Sequence, residues 1–257
     1  MKKFRKLARA MGAVVLAGMA SLSAWGQQTV VVELFTSEGC SSCPPAEAML
    51  MKLGQQRDTN LAHLVLLEEH VTYWNTSSFT DRFSAASYTD RQADYVKDFR
   101  LETAYTPQIV IDGKLQTSGN HPATVQDMIL QQAKEAKPAT VTLQLDSTDK
   151  LHVTVEGPPG AKAQVLLAVT EDNLTTEVKG GENKGRVLKH DAVVRSMESI
   201  GGLSNGHFEK TVRIPSKPEW SRPELLAVVL VQDKNSGTML GAATISLHSA
   251  TAAAASQ

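Results

Sequence analysis

Cys40-Ser41-Ser42-Cys43 holds the only two cysteines of the chain, two residues apart. A pair so spaced can close a small disulfide ring. The pair follows a mostly apolar run at residues 29–35 and precedes a helical pattern. Free backbone N–H groups and the dipole at a helix N-terminus stabilise a thiolate, so the first thiol there gains acidity. The chemistry that suits this arrangement is thiol–disulfide exchange. Two other uses of the same residues stand beside it: a stable structural disulfide, or two soft thiolates that hold Cu(I) or part of a zinc site. A metal would need further donors, for which His70 and His121 are candidates, although neither sits in a recognisable ligand spacing.

Neighbouring residues qualify this chemistry. Pro44-Pro45 follows the second cysteine directly. Proline lacks an N–H and clashes with the carbonyl four residues back. The helix is therefore expected to begin late or distorted, with the cysteines on a loop-like approach. The charge of Glu38 would oppose acidity at Cys40. Trp74, Tyr73, Phe79, Phe83 and Tyr88 make residues 73–88 the most aromatic stretch, read mainly as packing and alternatively as a docking surface. Residues 177–195 form a long charged connection with Gly180-Gly181 and Gly185, read as a solvated loop or an interface with the first half. His190-Asp191 could share a hydrogen bond, but no serine or third cysteine completes a triad.

The elements that must position these residues fall into two halves divided near Lys137-Pro138. The first reads β-α-β-α-β-β-α. Residues 29–35, 61–67 and 108–111 are apolar enough for buried strands, and residues 46–56 and 87–99 have helical spacing. Asp112-Gly113 signals a hairpin into residues 114–118, and His121-Pro122 opens a helix to about residue 136. The second half, residues 138–248, reads as about six strands: 141–145, 151–155, 164–170, 208–214, 225–231 and 239–247. That pattern suggests an all-β, immunoglobulin-like sandwich without an inter-sheet disulfide.

The N-terminus reads as a secretory signal. Lys2, Lys3, Arg5, Lys6 and Arg9 precede a short apolar stretch, and Ala24-Trp25-Gly26 offers small residues where a signal peptidase reads. The alternative is an uncleaved N-terminal anchor. Cleavage after Gly26 would leave 21 basic against 27 acidic side chains, a formal charge of −6. That balance argues against nucleic acid as a partner. After cleavage no stretch is long and apolar enough to span a membrane, so a periplasmic or secreted bacterial protein is expected, with residues 249–257 as a disordered tail.

Strand, CxxC, helix and then Tyr105-Thr106-Pro107 before a third strand resemble the thioredoxin superfamily, in which a Thr-Pro with a cis peptide bond faces the CxxC. More closely, VELFTSEGCSSCPPAE at residues 32–47, His70-Val71-Thr72-Tyr73-Trp74 and Tyr105-Thr106-Pro107-Gln108 resemble the family DUF1223. Residues 182–186 and His190-Asp191 extend the resemblance into the second half. It implies a secreted protein with a thioredoxin-like α/β domain at residues 27–137, carrying a helical insertion, followed by the β-rich domain. It implies no established reaction.

Carried over, the resemblance makes Cys40 the nucleophile and Cys43 the resolving thiol, with Pro107 and Thr106 as the wall across the site. Thr106 would offer its main chain to an extended peptide. Glu33 would be the buried acid that takes a proton from the second thiol. It lies seven residues before Cys40, one more than in thioredoxin. One step along a strand reverses the face, so a solvent-facing glutamate is the alternative. The expected function is a thiol–disulfide oxidoreductase acting on protein or peptide thiols, with a redox partner protein and no cofactor. The alternative is a non-catalytic binding protein, such as a Cu(I) chaperone.

Overall fold

The structure, a computed structural model, describes residues 28–58 and 62–248. The expected signal peptide and tail lie outside the described residues. The element order is β1 (Gln28–Thr36), α1 (Pro44–Gly54), β2 (Ala62–His70), α2 (Ala86–Asp98), β3 (Gln108–Ile111), β4 (Leu115–Ser118) and α3 (Pro122–Gln132). The second half continues with β5 (Thr140–Ser147), β6 (Lys150–Glu156), β7 (Ala163–Glu171), β8 (Leu174–Glu177), β9 (Val187–His190), β10 (Val193–Gly202), β11 (His207–Arg213), β12 (Leu225–Asp233) and β13 (Met239–Ser246).

The architecture corrects the expected one. An α/β thioredoxin-like domain followed by a separate immunoglobulin-like sandwich is not what the chain forms. It is mostly β, and one mixed eight-stranded sheet runs through both halves in the order β13-β12-β7-β10-β2-β1-β3-β4. The join is β10, which lies parallel to β2 with Val193 opposite Glu68 and receives a hydrogen bond from Glu68 N–H at Ala192 O (2.8 Å). Residues 177–195, which read as a charged connection in sequence, hold the end of β8, all of β9 and the start of β10. These strands are short or bury few side chains, so their apolar pattern is weak.

Alternation along β1 and β2 sorts side chains to two faces. Val30, Val32, Leu34, Leu64 and Leu66 pack with Ala46 and Leu50 of α1 and Val125 and Ile129 of α3. Val31, Val65 and Leu67 pack on the other side with Tyr88 of α2 and with Leu166, Ala168, Val228 and Leu230 from the second half. The large sheet therefore curls, and Met239 N–H of β13 donates to Asp112 O in the β3–β4 turn (2.9 Å). A three-stranded sheet, β11-β6-β5, covers β7 and β12 through Leu151, Val153, Val155, Leu167 and Val229.

α1 begins at once after the second cysteine, not late. Cys43 is its N-cap residue, and Pro44 and Pro45 occupy the first turn. The first turn makes no use of those missing N–H groups, so both prolines fit without disturbing the helix.

Candidate functional site beneath the CxxC turn

Cys40 and Cys43 form a disulfide with a Cα–Cα distance of 5.5 Å. Both residues are fully buried, and only Ser41 and Ser42 of the motif face solvent. The turn is closed by Cys40 N–H donating to Ser37 O (3.1 Å) and Cys43 N–H to Cys40 O (3.2 Å).

The cover comes from the second half. Residues 178–186 join β8 to β9 and fold over the motif. Asn183, fully buried, donates from Nδ2 to Cys40 O (2.7 Å) and Glu38 O (3.1 Å). Glu182 N–H donates to Gly39 O (3.1 Å), and its Oε2 accepts from Ser41 N–H (3.0 Å) and Ser41 Oγ–H (2.6 Å). Gly181 permits this approach. Its φ is +69°, and a Cβ there would lie 2.8 Å from Gly39 Cα. Phe79 packs beneath the same cap against Val178 and Leu188. The charged connection is thus an ordered lid on the cysteines.

Pro107 is buried and its bond to Thr106 is cis. It stands beside the first turn of α1, because a Cβ on Gly119 would meet both Ala46 Cβ (2.6 Å) and Pro107 Cβ (3.2 Å). Thr106 Oγ1 accepts from Trp74 Nε1–H (2.8 Å). Trp74 in turn lies against Gly39, one residue before Cys40. The structure therefore gathers Cys40, Cys43, Thr106 and Pro107 in one region. Glu33 is not part of that group. It is buried on the α2 face, where Tyr95 O–H donates to its Oε1 (2.6 Å) and Arg91 Nε–H to its Oε2 (2.6 Å).

The CxxC face carries a different set of buried ionisable groups. Glu68 and His70 project from the end of β2, Glu47 from the first turn of α1, His190 from β9, and Glu38 and Asp81 from the connections. His70 Nδ1 lies 2.8 Å from Asp81 Oδ2, and its Nε2 lies 2.9 Å from Glu68 Oε1. His190 Nδ1 approaches the same Glu68 Oε1 at 2.7 Å, and its Nε2 is 3.5 Å from Glu38 Oε1. Asp81 also accepts from Glu38 N–H (2.7 Å) and Phe83 N–H (3.0 Å). Thr36 Oγ1–H donates to Glu47 Oε1 (2.7 Å). Phe83 lies edge-on to both imidazoles.

Burial and mutual charge move these groups apart. Burial, with the nearby Glu68 charge adding to it, pushes Glu47 up to about 7. Burial works against the charged forms of His70 and His190. Asp81 and Glu68 nevertheless hold His70 well above its ordinary value, and chiefly Glu68 raises His190 to about 10. Asp81, despite burial, is drawn down to about 2 by His70 and by the N–H groups of Phe83 and Glu38. Both imidazoles thus sit between carboxylates that favour their charged forms.

Sequence reasoning had picked out His70, His190 and Glu38 singly. It missed Glu47, Glu68 and Asp81 as their companions. One signal was available: Glu68-Glu69-His70 ends an apolar strand and is buried entirely. His190 and Asp191 do not pair, for Asp191 instead accepts from Asn173 N–H (2.8 Å).

Fold and site together define a β-rich protein in which a lidded CxxC disulfide sits over a buried acid–imidazole cluster. The family model DUF1223, described as a protein of unknown function, matches residues 31–232, and the chain belongs to that family. The chain is similar to an Agrobacterium tumefaciens protein of known crystal structure, with 26% identity over 86% of this chain and 96% of that one and a TM-score of 0.69. A domain of the outer membrane lipoprotein Omp28 from Porphyromonas gingivalis aligns at 16% identity over 42% of this chain and 84% of that one. Its TM-score of 0.26 is too low to bear on the fold. No curated protein matches the chain. Among the described residues no helix is long and apolar enough to cross a membrane.

Proposed function

We propose that the protein is an exported thiol–disulfide exchange protein whose Cys40–Cys43 pair reacts with protein or peptide thiols when the 178–186 lid opens. The observation that carries this reading is the placement of the pair. The disulfide ends at the N-cap of α1, where a released thiolate gains the favourable field of the helix terminus. A lid attached through Asn183, Glu182 and Ser41 is a contact that can open without unfolding the sheet.

The exchange is balanced by a partner dithiol. One partner thiolate attacks Cys40 Sγ, the Sγ–Sγ bond breaks, and the Cys43 thiolate leaves and takes a proton. The second partner thiolate then displaces Cys40, so that two electrons pass from the dithiol to the cysteine pair. The reverse sequence reduces a partner disulfide. Trp74 and the main chain of Thr106 border the path by which an extended peptide would approach.

The test is a Cys43→Ser variant expressed with its leader in a Gram-negative host. The expected result is a mixed disulfide on Cys40 that is released by reductant and absent from Cys40→Ser. If no adduct forms, and the reduced wild type resists alkylation at neutral pH even with the lid weakened, the disulfide is a structural clasp.

A further inference from the structure

We propose that Glu68, His70 and His190, with Glu47 as a fourth donor, bind one divalent transition-metal ion, best suited to zinc, beneath the CxxC turn. This inference is independent of the redox reading, since it uses neither cysteine.

The donors already converge. His70 Nε2 and His190 Nδ1 lie 2.9 and 2.7 Å from the same atom, Glu68 Oε1. The three candidate ligand atoms all fall within 4.8 Å of one another. Tetrahedral zinc, with bonds of about 2.0–2.2 Å to nitrogen and oxygen, spaces its ligands about 3.3–3.6 Å apart, so both pairs open slightly to admit it. Glu47 Oε2 is 4.0 Å from His190 Nδ1, while Thr36 holds its other oxygen.

A second observation is independent of that convergence. Glu68 Oε2 is buried with no hydrogen-bond partner, while Glu38 Oε1 and His190 Nε2, also without one, face each other at 3.5 Å. An unpartnered buried polar atom costs free energy, and Glu68 Oε2 needs a reason. A cation between the imidazoles and the Glu68 carboxylate gives Glu68 Oε2 a partner. It also directs His190 Nε2–H to Glu38.

The outer nitrogens show the same design. Metal-binding histidines generally present their second ring nitrogen to a carboxylate or carbonyl, which fixes tautomer and ring orientation. Here His70 Nδ1 faces Asp81 at 2.8 Å and His190 Nε2 faces Glu38 at 3.5 Å. Asp81 is itself held by Ser37 Oγ–H (3.2 Å) and by two backbone N–H groups, so it is a positioning residue.

Binding requires both coordinating ring nitrogens to be free of protons, so any proton they carry is released. Imidazole and carboxylate donors suit zinc, iron or manganese. Cu(I) prefers the sulfurs, which here are joined to each other. Four protein donors in a buried site describe a closed, structural centre.

The experiment uses the chain without its leader, unfolded in chelator, desalted, and refolded with zinc chloride or without metal. We expect one zinc per chain after desalting, a higher melting temperature, and proton release detected by an indicator dye. X-ray absorption at the zinc edge should show two imidazole nitrogens with oxygen donors and no sulfur. His70→Gln and His190→Gln should each abolish stoichiometric zinc. Asp81→Asn should weaken it by about tenfold or more. Glu69→Gln, whose side chain is on the opposite face, should bind as the wild type does. The inference is overturned if the folded wild type retains no zinc. It is equally overturned if zinc survives both histidine substitutions or if the absorption spectrum shows sulfur ligation. Should the histidine variants fail to fold, zinc content and the spectrum of the wild type decide.

Discussion

Glu68 and Glu69 are neighbours on β2, both fully buried, and the strand's alternation sends them to opposite faces. Glu69 shares the α2 face with Glu33, where the cation is Arg91, 2.6 Å from Glu33 and 3.6 Å from Glu69. Glu68 shares the α1 face with Glu38, Glu47 and Asp81, where the cations are His70 and His190. A guanidinium keeps its proton throughout the physiological range, so the α2 face keeps its cation. An imidazole can lose its proton to solvent, or have it displaced there by a metal, so the α1 face can change state. The face that can change lies under the cysteines. The fixed face joins α2 to the sheet, with Arg91 Nη1–H donating to Gln232 Oε1 of β12 (3.0 Å).

Removing the fixed cation tests this contrast most severely. Arg91→Leu leaves Glu33 and Glu69 buried without compensation, and breaking such a pair costs about 3–5 kcal/mol. Urea unfolding at pH 7 should show a loss of that order. A loss below about 1 kcal/mol at pH 7 would mean that the Arg91 cluster is not the fixed element described.

The lid is the next lever, because it belongs to the face that can change. Asn183→Ala removes the donor to Cys40 O and Glu38 O, which costs about 1–3 kcal/mol if those buried carbonyls are left unmet. Gly181→Ala acts in the same direction through its positive φ and its contact with Gly39. Each 1.4 kcal/mol of easier opening raises the accessible population about tenfold. Reduction of the Cys40–Cys43 disulfide by a small dithiol should accelerate accordingly, while the urea midpoint moves modestly. Unchanged reduction rates in both variants would show that residues 178–186 do not control access.

Much of the first half was legible because local rules agree there. Residues 29–35 and 108–111 are strands, and Asp112-Gly113 makes the expected hairpin, with Asp112 at φ +53° and Gly113 at +63°. The cysteines are joined, and the segment carrying Pro107 lies beside the helix that follows them. What escaped was non-local. β2 was read as ending at residue 67, where its apolar residues stop, yet it continues through Glu68, Glu69 and His70. β1 and β10 supply backbone partners on both sides, and the ionisable side chains find counter-charges far away in sequence. Arg91 lies on a helix of polar sequence and was not singled out. Its spacing of three and four residues from Tyr88 and Tyr95 puts it on the inward side. The separate sandwich failed for a similar reason. Nothing in the alternation of residues 193–202 announces that their partner is a strand from the other half.

The smallest expected effect distinguishes the two faces by pH. Burial first, and then the neighbouring Glu33, raise the Glu69 carboxyl well above its ordinary 4.5, although Arg91 opposes them. Neither Glu69 oxygen has a hydrogen-bond partner. A carboxyl whose folded pKa is raised keeps its proton after the unfolded chain has lost it. Stability therefore falls as pH rises above about 4.5, until the folded group also ionises. Glu69→Gln removes that slope while keeping the shape. The variant should match the wild type near pH 4 and exceed it at pH 8, by about 1 kcal/mol or somewhat more. Unfolding curves at both pH values provide the comparison. If Glu69→Gln is instead less stable at pH 8, the ionised carboxylate is a working partner of Arg91. The α2 face would then hold two salt bridges on one guanidinium.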